Sequence, residues 1–560
     1  MFIDARQIES DSVVEADLCI IGGGAAGITL AREFLGTGVK VCLLESGGLD
    51  FAWNVQELSK GASSGLPYFA LDMAQLRYFG GNTNGWGGWC RPLEPGDFRR
   101  RSWVADSGWP FERSELDPFY LRAEKVCGVE PHDWDLQSWL ARLDSPRARL
   151  LPFAPDKIEH ALYRFSRGLR FGLIYRSEID GSDNVRCLLN AHVFGLHAGS
   201  DARRLAWIEA GTLSGKRFTV RAKSYVLAAG GIENARLLLL SNDVAPRGLG
   251  NDADLVGRYF MEHPHIKRRV IAIDRRAPVG LYSLAFYHQS VALRLSLPEE
   301  VQQREGLLAY SANLHPFYYG HDKAGWLAFR KFVLSLMPSR KTDPFIRFPP
   351  MGPARMSARE VADIIRELPM VTVAALLQKF QPIGFLSHYI LETKPEQAPN
   401  RESRVLLDET RDAFGLNRVR LDWKTTELDR RTALRGDEIV GEELARLGIG
   451  RLEPLPPDEA EATGPWPANF EGGWHQIGTT RMHEEPRHGV VDADCRVHGM
   501  ENLFITGSSV FPTEGVAPPT LTIVALALRL AGHLKSRFAE EPSGRAVAVA
   551  AREKEETVSG

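Results

Sequence analysis

The sequence predicts an α/β protein in which a parallel sheet with helices on its faces is joined to an antiparallel sheet. Two observations predict the parallel sheet: a strand–glycine–helix–strand unit between residues 17 and 45, and a second strand running into glycines between residues 223 and 236. A third observation, period-two alternation of apolar residues between 403 and 423, predicts strands of an antiparallel sheet. The tail beyond residue 540 is rich in small and charged residues, and we expect it to be flexible.

Composition and charge narrow the class of protein. The chain has 560 residues, of which 44% are hydrophobic and 25% are charged, so disordered, collagen-like and coiled-coil classes fit poorly. Its 68 Lys and Arg are balanced by 71 Asp and Glu, which leaves a net charge of −3. This balance removes the usual electrostatic case for nucleic-acid binding. An enzyme is therefore the leading class.

Cysteines and apolar runs bear on location. The six cysteines form no C-x-x-C pair and have no spacing suited to zinc, so we expect reduced thiols and no metal. Residues 1–15 carry acids without an apolar core and do not resemble a secretory signal. The longest apolar run, Leu521–Ala531, is interrupted by Arg529 and is shorter than the ~18 residues that span a bilayer. We expect a cytoplasmic protein without membrane insertion.

The first unit is a βαβ motif. Asp17–Ile21 is an apolar run suited to a buried parallel strand, a glycine-rich turn follows, and Ile28–Phe34 reads as a helix. A second strand, Val39–Leu44, ends at an acidic residue. A parallel pair joined by a helix requires a right-handed crossover.

The turn carries the G-x-G-x-x-G pattern of a dinucleotide site. Gly22 allows the tight turn, Gly24 lets a pyrophosphate approach the backbone, and Gly27 allows close helix–strand packing. Glu45 follows Gly27 by 18 residues, at the end of the second strand. An acid there accepts both ribose hydroxyls and repels a 2′-phosphate, so FAD or NAD(H) fits far better than NADP.

The second strand-to-glycine segment, residues 223–236, favours FAD. A strand ending in Ala-Ala-Gly-Gly, with a helix beginning near Ile232, is typical of the flavin-binding relatives of this fold. Arg236 in that helix either faces a phosphate or lies on the surface.

The middle of the chain mixes strand and helix patterns. Val270–Asp274 reads as a strand, and Ser403–Leu407 and Val419–Trp423 read as strands of an antiparallel sheet. Residues 357–380 and 425–447 read as helices, and residues 453–467, rich in Pro and Glu, read as a loop.

Four blocks of sequence carry a resemblance to a known family. They are residues 22–48; residues 76–92 with 97–98 and 108–110; residues 228–234 with 256–264; and residues 475–482 with 496–499, 502–512 and 519–523. On these blocks the chain resembles the glucose–methanol–choline (GMC) oxidoreductase family, and within it the bacterial sugar and polyol dehydrogenases and pyranose oxidase-like members. The blocks occur in the family's order and span residues 16–533.

The resemblance implies a fold and a reaction. FAD would be held by a discontinuous Rossmann-like domain formed by residues 1–265 and 470–540, with residues 76–130 covering the flavin. Residues 266–469 would form a substrate domain with an antiparallel sheet flanked by helices, and residues 541–560 a flexible tail. The family oxidises a hydroxyl group to a carbonyl by hydride transfer to flavin N5. By motif position His475 would be the base, whereas His483, His488 and His498 are expected on the surface or in packing.

The resemblance also assigns the cofactor contacts. The residues expected to bind FAD are Gly22, Gly24, Ala26, Gly27, Glu45, Ser46, Gly80, Gly81, Asn84, Trp86, Gly87, Gly88, Val193, Ala229, Gly230, Asn234, Gly507, Ser508, Pro519 and Thr520. The helix after Pro519 would point its N-terminus at the flavin pyrimidine, where its partial positive charge stabilises the reduced ring.

Two positions depart from the family pattern. Relatives carry Asn or His as the second member of the catalytic pair, where this chain has Pro518, which offers neither a side-chain donor nor an N–H. The pair is thus reduced to His475 unless another group substitutes. Some relatives link FAD covalently to a histidine, where this chain has Gly85 beside Asn84. We therefore expect non-covalent FAD.

Three functions stay open from sequence. The leading interpretation is oxidation of a hydroxyl of a sugar, glycoside or sugar-like natural product, with oxygen, a quinone or a protein as electron acceptor. The tryptophans near the site, Trp86, Trp89 and Trp474, could stack on sugar faces. A second interpretation, motivated by Pro518, is a lyase or isomerase with FAD mainly structural. A third is a non-catalytic flavin-fold subunit, which retention of His475 disfavours.

Overall fold

The structure is a computed structural model. It describes residues 1–130, 132–145, 148–166, 169–283, 285–286, 289–336, 356–380, 386–454 and 463–540. The predicted tail at 541–560 and residues 455–462 of the predicted loop lie outside this range.

The β-strands are distributed along the described part of the chain from residue 2 to residue 505. In order they are β1 (Phe2–Asp4), β2 (Val13–Glu15), β3 (Leu18–Ile21), β4 (Val41–Leu44), β5 (Gly61–Ser63), β6 (Trp89–Cys90), β7 (Glu159–Phe165), β8 (Val185–Leu189), β9 (His192–Ala198), β10 (Leu205–Gly211), β11 (Arg217–Arg221), β12 (Ser224–Leu227), β13 (Ile266–Ala272), β14 (Val291–Ser296), β15 (Ser311–Tyr318), β16 (Leu386–Thr393), β17 (Arg404–Arg411), β18 (Asn417–Asp422), β19 (Gly450–Leu452) and β20 (Leu503–Ile505).

The helices lie between and outside these strands. They are α1 (Ala25–Glu33), α2 (Trp53–Gln56), α3 (Leu71–Ala74), α4 (Pro95–Phe98), α5 (Asp117–Cys127), α6 (Leu136–Leu143), α7 (Phe171–Ile174), α8 (Arg176–Asp180), α9 (Gly230–Leu240), α10 (Glu299–Glu305), α11 (Ala324–Leu336), α12 (Ala358–Arg366), α13 (Leu368–Phe380), α14 (Glu427–Arg446) and α15 (Thr520–Glu540).

A six-stranded parallel sheet has the order β1-β8-β4-β3-β12-β20. Its inner strands β3, β4 and β12 are buried at every residue, as continuous apolar runs in a sheet covered on both faces should be. Strand β20 comes from residues 503–505 and pairs with β12, so segments from both ends of the chain contribute strands to one sheet. Helix α15 packs against α1 and α5.

The predicted βαβ unit is present with shifted bounds. Helix α1 begins at Ala25 rather than Ile28, since Gly24 is its N-cap and the glycine-rich turn already enters the helix. Helix α9 begins at Gly230 rather than near Ile232. The α/β fold class is confirmed.

A seven-stranded antiparallel sheet has the order β19-β13-β16-β15-β14-β7-β6. Helix α14 packs on it, and Ile439, Val440 and Leu444 of that helix join a second apolar core with strands β14 and β15. Strands β6 and β7 precede residue 265, so this sheet also takes strands from the segment predicted to bind FAD. The domain boundaries themselves stay a prediction.

Two smaller sheets complete the fold. One has the order β2-β11-β10-β9, and the other β17-β18-β5, with β17 and β18 antiparallel as the alternation predicted. The single helix predicted over 357–380 is two helices, α12 and α13, which meet at Glu367. Pro369 at the start of α13 lacks an N–H, and a helix tolerates that only in its first turn. No helix in the described part of the chain has the length and hydropathy needed to cross a bilayer.

Helix–strand packing at Gly27 supplies a stability test. A Cβ built on Gly27 would lie 1.9 Å from the carbonyl oxygen of Gly22, so any side chain must push helix and turn apart. We expect Gly27→Ala to lower the free energy of unfolding by about 1–3 kcal/mol and to reduce flavin retention. Urea unfolding and the flavin absorbance of the purified protein measure both.

The matched control is Gly532→Ala in α15, where a built Cβ meets no atom within 4 Å. We expect Gly532→Ala to leave the free energy of unfolding undiminished and to raise it by up to about 1 kcal/mol, because glycine is disfavoured inside helices. Equal behaviour of the two variants would contradict the packing role of Gly27.

Candidate active site

A cavity of about 580 Å³ lies where the two large sheets meet. The carboxyl ends of β3, β4 and β12 border it at Ile21, Leu44 and Ala228, as expected for ligand binding in an open parallel sheet. Of the residues predicted from sequence, those that line the cavity are Gly22, Gly24, Ala26, Glu45, Ser46, Gly81, Trp86, Gly87, Gly88, Val193, Ala229, Gly230, His475, Gly507, Ser508, Pro519 and Thr520.

Four of the predicted contacts lie behind the cavity wall: Gly27, Gly80, Asn84 and Asn234. Asn84 donates from Nδ2 to the carbonyl oxygen of Phe79 at 2.9 Å. Asn234 accepts the N–H of Ala229 at 2.8 Å and donates from Nδ2 to Ser509 Oγ at 3.0 Å. The two asparagines hold the glycine-rich loops in position.

The cavity wall leaves space for a dinucleotide. Cβ atoms built on Gly24, Gly230 and Gly507 would meet nothing within 4 Å, so the backbone at these points is open to a ligand. Gly24 caps α1 without any side-chain hydrogen bond, which leaves the N-terminal N–H groups free for an anion. The first residue of α15, Thr520, also lines the cavity. The residues present therefore fit FAD.

Glu45 lies in the cavity wall just after β4, with its side chain buried. Its Oε2 accepts the N–H of Gly23 at 2.9 Å, and its Oε1 accepts the N–H of Gly47 at 2.8 Å. Burial raises the pKa of the carboxyl, and these two N–H groups oppose that rise. Oε1 also accepts the Ser46 hydroxyl at 3.4 Å, so Oε2 is the oxygen that keeps a lone pair for a ligand hydroxyl.

Arg236 has neither of the roles considered from sequence. Its side chain is buried, and its Nη2 donates to Asp412 Oδ2 at 2.6 Å, while its Nε donates to the carbonyl oxygen of Asn417 at 2.9 Å. It does not line the cavity. Arg236 therefore joins α9 to the β17–β18 hairpin.

The loop that carries His475 is held by one buried carboxyl group. Glu262 Oε2 accepts the N–H groups of Gly473 and His475, both at 2.9 Å, and Oε1 accepts the hydroxyl of Tyr68. Between those N–H groups Trp474 adopts φ +59°, a left-handed conformation rare for bulky residues. Its indole stacks on the Phe69 ring at 4.0 Å between centroids. These contacts fix the direction of the His475 side chain.

A second histidine contacts His475. Nδ1 of His263 lies 2.7 Å from Nδ1 of His475, and Nε2 of His263 lies 2.8 Å from the carbonyl oxygen of Gly515. A carbonyl oxygen only accepts, so in neutral His263 the proton must be on Nε2, and Nδ1 is the acceptor. His475 then donates from its own Nδ1. The hydrogen-bond network therefore assigns the lone pair of His475 to Nε2.

Electrostatics keep both rings neutral. Burial lowers the pKa of His475 well below its ordinary value, and the charges of Arg294 and Lys394 lower it further. Burial likewise lowers the pKa of His263 to about 4 and that of His265 well below its usual range. At neutral pH His475 is therefore ready to accept a proton.

Sequence reasoning missed four residues of this end of the cavity: His263, His265, Arg294 and Lys394. His263 lies within the block 256–264 that carries the family resemblance, and His265 follows that block directly. Pro518 also lines the cavity, without a donor. His483, His488 and His498 do not line it.

Glu262 makes stability depend on pH. Burial raises its pKa to about 7 in the folded protein, against about 4.5 when unfolded. Between these values the unfolded chain loses the proton first, so the contribution of Glu262 to stability falls as pH rises from 4.5 to 7. Glu262→Gln removes this titration. Relative to wild type, we expect its free energy of unfolding to rise by up to about 3 kcal/mol across that range.

Urea unfolding at pH 5 and pH 8 measures the difference. The control is Glu471→Gln, at a glutamate on the surface that pairs with Lys267. The difference in free energy of unfolding between this variant and wild type should be nearly the same at both pH values. A pH-independent difference for Glu262→Gln would contradict the raised pKa.

Comparisons with known proteins agree with this geometry. Residues 399–527 match the family model described as GMC oxidoreductase. The chain is 24% identical to 2-methyl-1,2-propanediol dehydrogenase of Mycolicibacterium austroafricanum (94% of this chain, 97% of that protein). It is 26% identical to 6'''-hydroxyparomomycin C oxidase of Streptomyces lividus (94% and 92%). A solved fungal aryl-alcohol oxidase superposes with a TM-score of 0.57 at 17% identity, covering 95% of this chain and all of that one. Residues 399–527 thus match the GMC oxidoreductases, and the chain is an FAD-dependent oxidoreductase that acts on CH–OH groups.

Proposed function

We propose that the enzyme oxidises a hydroxyl group of a sugar, glycoside or sugar-like compound to a carbonyl, with His475 as the base. The observation that carries this proposal is the fixed tautomer of His475, whose free Nε2 belongs to a residue lining the cofactor cavity. The substrate class is supported by the two curated relatives, which are named for a propanediol and for hydroxyparomomycin C.

In the proposed reaction His475 Nε2 takes the hydroxyl proton. FAD, when bound, supplies the acceptor for the hydride that leaves the same carbon. The carbon thus loses a hydride, which carries one proton and two electrons, and the oxygen loses a proton to His475, which gives the carbonyl. A neutral imidazole suits this step because proton removal and hydride departure assist each other.

His263 supports the base from behind. When His475 gains a proton on Nε2, its Nδ1–H still donates to His263 Nδ1 at 2.7 Å, so the new charge is shared along a hydrogen bond. This contact gives a partner to the base in a chain that has Pro518 where relatives have Asn or His. We propose His263 as the positioning residue of the site.

Removing the base supplies the first test. We expect His475→Ala to lower the rate of flavin reduction by a hydroxylated substrate by about 10²–10⁴-fold, with flavin content unchanged. Anaerobic stopped-flow absorbance near 450 nm measures the rate, and His488→Ala, at an exposed histidine outside the cavity, is the control. If His475→Ala retained its activity, His475 would not be the base, and the interpretation of the protein as a non-catalytic subunit would be favoured.

Removing the positioning residue supplies the second test. In His263→Phe, Nδ1–H of His475 loses its acceptor and both tautomers become accessible, so we expect flavin reduction to slow by about 10–100-fold. The acid limb of the pH–rate profile should also move. His263→Asn offers an amide oxygen as acceptor and should recover part of the rate. Equal losses in both variants with an unmoved pH profile would indicate a purely structural role.

A panel of sugars, glycosides and polyols tests the substrate class. Bleaching of the flavin under anaerobic conditions supports net oxidation. Product formed without bleaching would instead favour the lyase or isomerase interpretation that Pro518 motivates.

We further propose that FAD is held without a covalent bond. The segment from Gly80 to Trp89 contains no His, Cys or Tyr that could form such a link. Acid precipitation should therefore leave the flavin in the supernatant.

The proposed function includes a cytoplasmic location, which is consistent with the six free, buried cysteines. It also includes an electron acceptor that is oxygen, a quinone or a protein.

A further inference from the structure

A buried arginine forms part of the cavity wall near His475. Arg294 lies in β14, is 5% exposed and lines the cavity together with His263 and His265. Its guanidinium carbon lies 4.5 Å from the centroid of the Trp89 ring and 4.3 Å from that of Tyr163. The two rings restrict the orientation of the guanidinium plane.

Arg294 has fewer hydrogen-bond and ion-pair partners than a buried guanidinium group needs. Its Nη1 donates to Ser311 Oγ at 3.4 Å, and its Nε, also buried, has no hydrogen-bond partner. Among the residues that the structure describes, no carboxylate lies within 4.0 Å of this guanidinium. Arg101 and Arg236 are as deeply buried and pair with Glu396 at 2.5 Å and Asp412 at 2.6 Å. A buried cation without an anion is strongly disfavoured.

The other charged groups at this end of the cavity do not compensate the charge of Arg294. Lys394 Nζ lies 2.8 Å from Glu392 Oε2, and His315 lies 3.4 Å from the same oxygen, so this carboxylate already has two partners. The three histidines of the cavity are neutral at pH 7 because burial lowers each pKa. This end of the cavity therefore carries one uncompensated positive charge.

We propose that Arg294 binds a carboxylate of the substrate, so that the enzyme oxidises a sugar acid or its glycoside rather than a neutral sugar. Arginine is suited to this role because its planar fork matches a carboxylate and donates two parallel hydrogen bonds. A neutral sugar would leave the charge buried and unpaired. This inference rests on the proposed oxidation and names its substrate class.

The test compares matched substrates that differ in one group. The FAD-loaded enzyme is mixed anaerobically with methyl β-glucopyranoside or methyl β-glucopyranosiduronate, and with the corresponding galactose pair. We expect the uronides to reduce the flavin with kcat/KM at least tenfold higher than the neutral glycosides, and added salt to weaken this preference only slightly, since the pair is buried. In Arg294→Met the two members of each pair should become equal.

Two further variants complete the design. Arg294→Lys keeps the charge but not the fork and should retain only part of the preference. Arg269→Met is the control, because Arg269 is exposed on β13, pairs with Glu453 and does not line the cavity; its preference should match wild type. Neutral glycosides that equal or exceed the uronides in wild type would overturn the inference. So would a loss in Arg294→Met that is equal for both members of a pair.

A redox-inert probe separates this inference from the proposed function. Cyclohexanecarboxylate has no hydroxyl to oxidise, and cyclohexanecarboxamide is its uncharged match. We expect the carboxylate alone to perturb the flavin spectrum of wild type, and Arg294→Met to abolish the effect. If no sugar reduced the flavin, the proposed oxidation would fail, and this binding test would still decide the role of Arg294. Absence of carboxylate binding to the wild-type holoenzyme would overturn it even if Arg294→Met did not fold.

Discussion

The hydrogen bond between His263 Nε2 and the carbonyl oxygen of Gly515 determines which nitrogens of two cavity histidines carry a proton. Because a carbonyl cannot donate, this one contact sets the proton positions on His263 and, through a second hydrogen bond, on His475. The contact joins the segment before β13 to the segment before α15, so it exists only when the antiparallel sheet and the C-terminal helix are both in place. The single free ring nitrogen of His475 is thus a product of the whole fold.

Burial shifts the pKa values of the histidines and carboxyl groups around His475 toward their neutral forms. Burial and nearby cations hold the histidines neutral, whereas burial raises the pKa of carboxyl groups behind them, that of Glu262 and that of Asp97 each to about 7. Glu262 is one of these, and it orients the His475 loop through backbone N–H groups rather than through the imidazole. Arg294 is a buried cation in the cavity wall, and no carboxylate among the described residues lies within 4.0 Å of it. This arrangement is the basis for the carboxylate ligand that we propose.

Residues close together in the chain were predictable, and those brought together from distant segments were not. Gly22, Gly24 and Glu45 lie within one βαβ unit, so strand and helix periodicity alone placed them at one end of a parallel sheet. His475 came from the resemblance, because a single histidine carries no signal of its own. His263 lies 212 residues from His475 in sequence, and nothing local indicates that the two rings touch. Arg294 lies in a strand that is buried at every residue, so no local pattern indicates that it lines the cavity.

The sequence by itself determined the α/β class, the cofactor turn and the resemblance to a family, because each depends on contiguous patterns of glycines, apolar residues and caps. The tertiary structure alone decided which nitrogen of His475 is free, that Arg236 is a buried structural ion pair, and that Arg294 is buried without one. The physical reason is that proton positions and charge compensation depend on distances of a few ångströms between groups from different strands and loops. Those distances are set by how the two sheets pack and are absent from any local pattern.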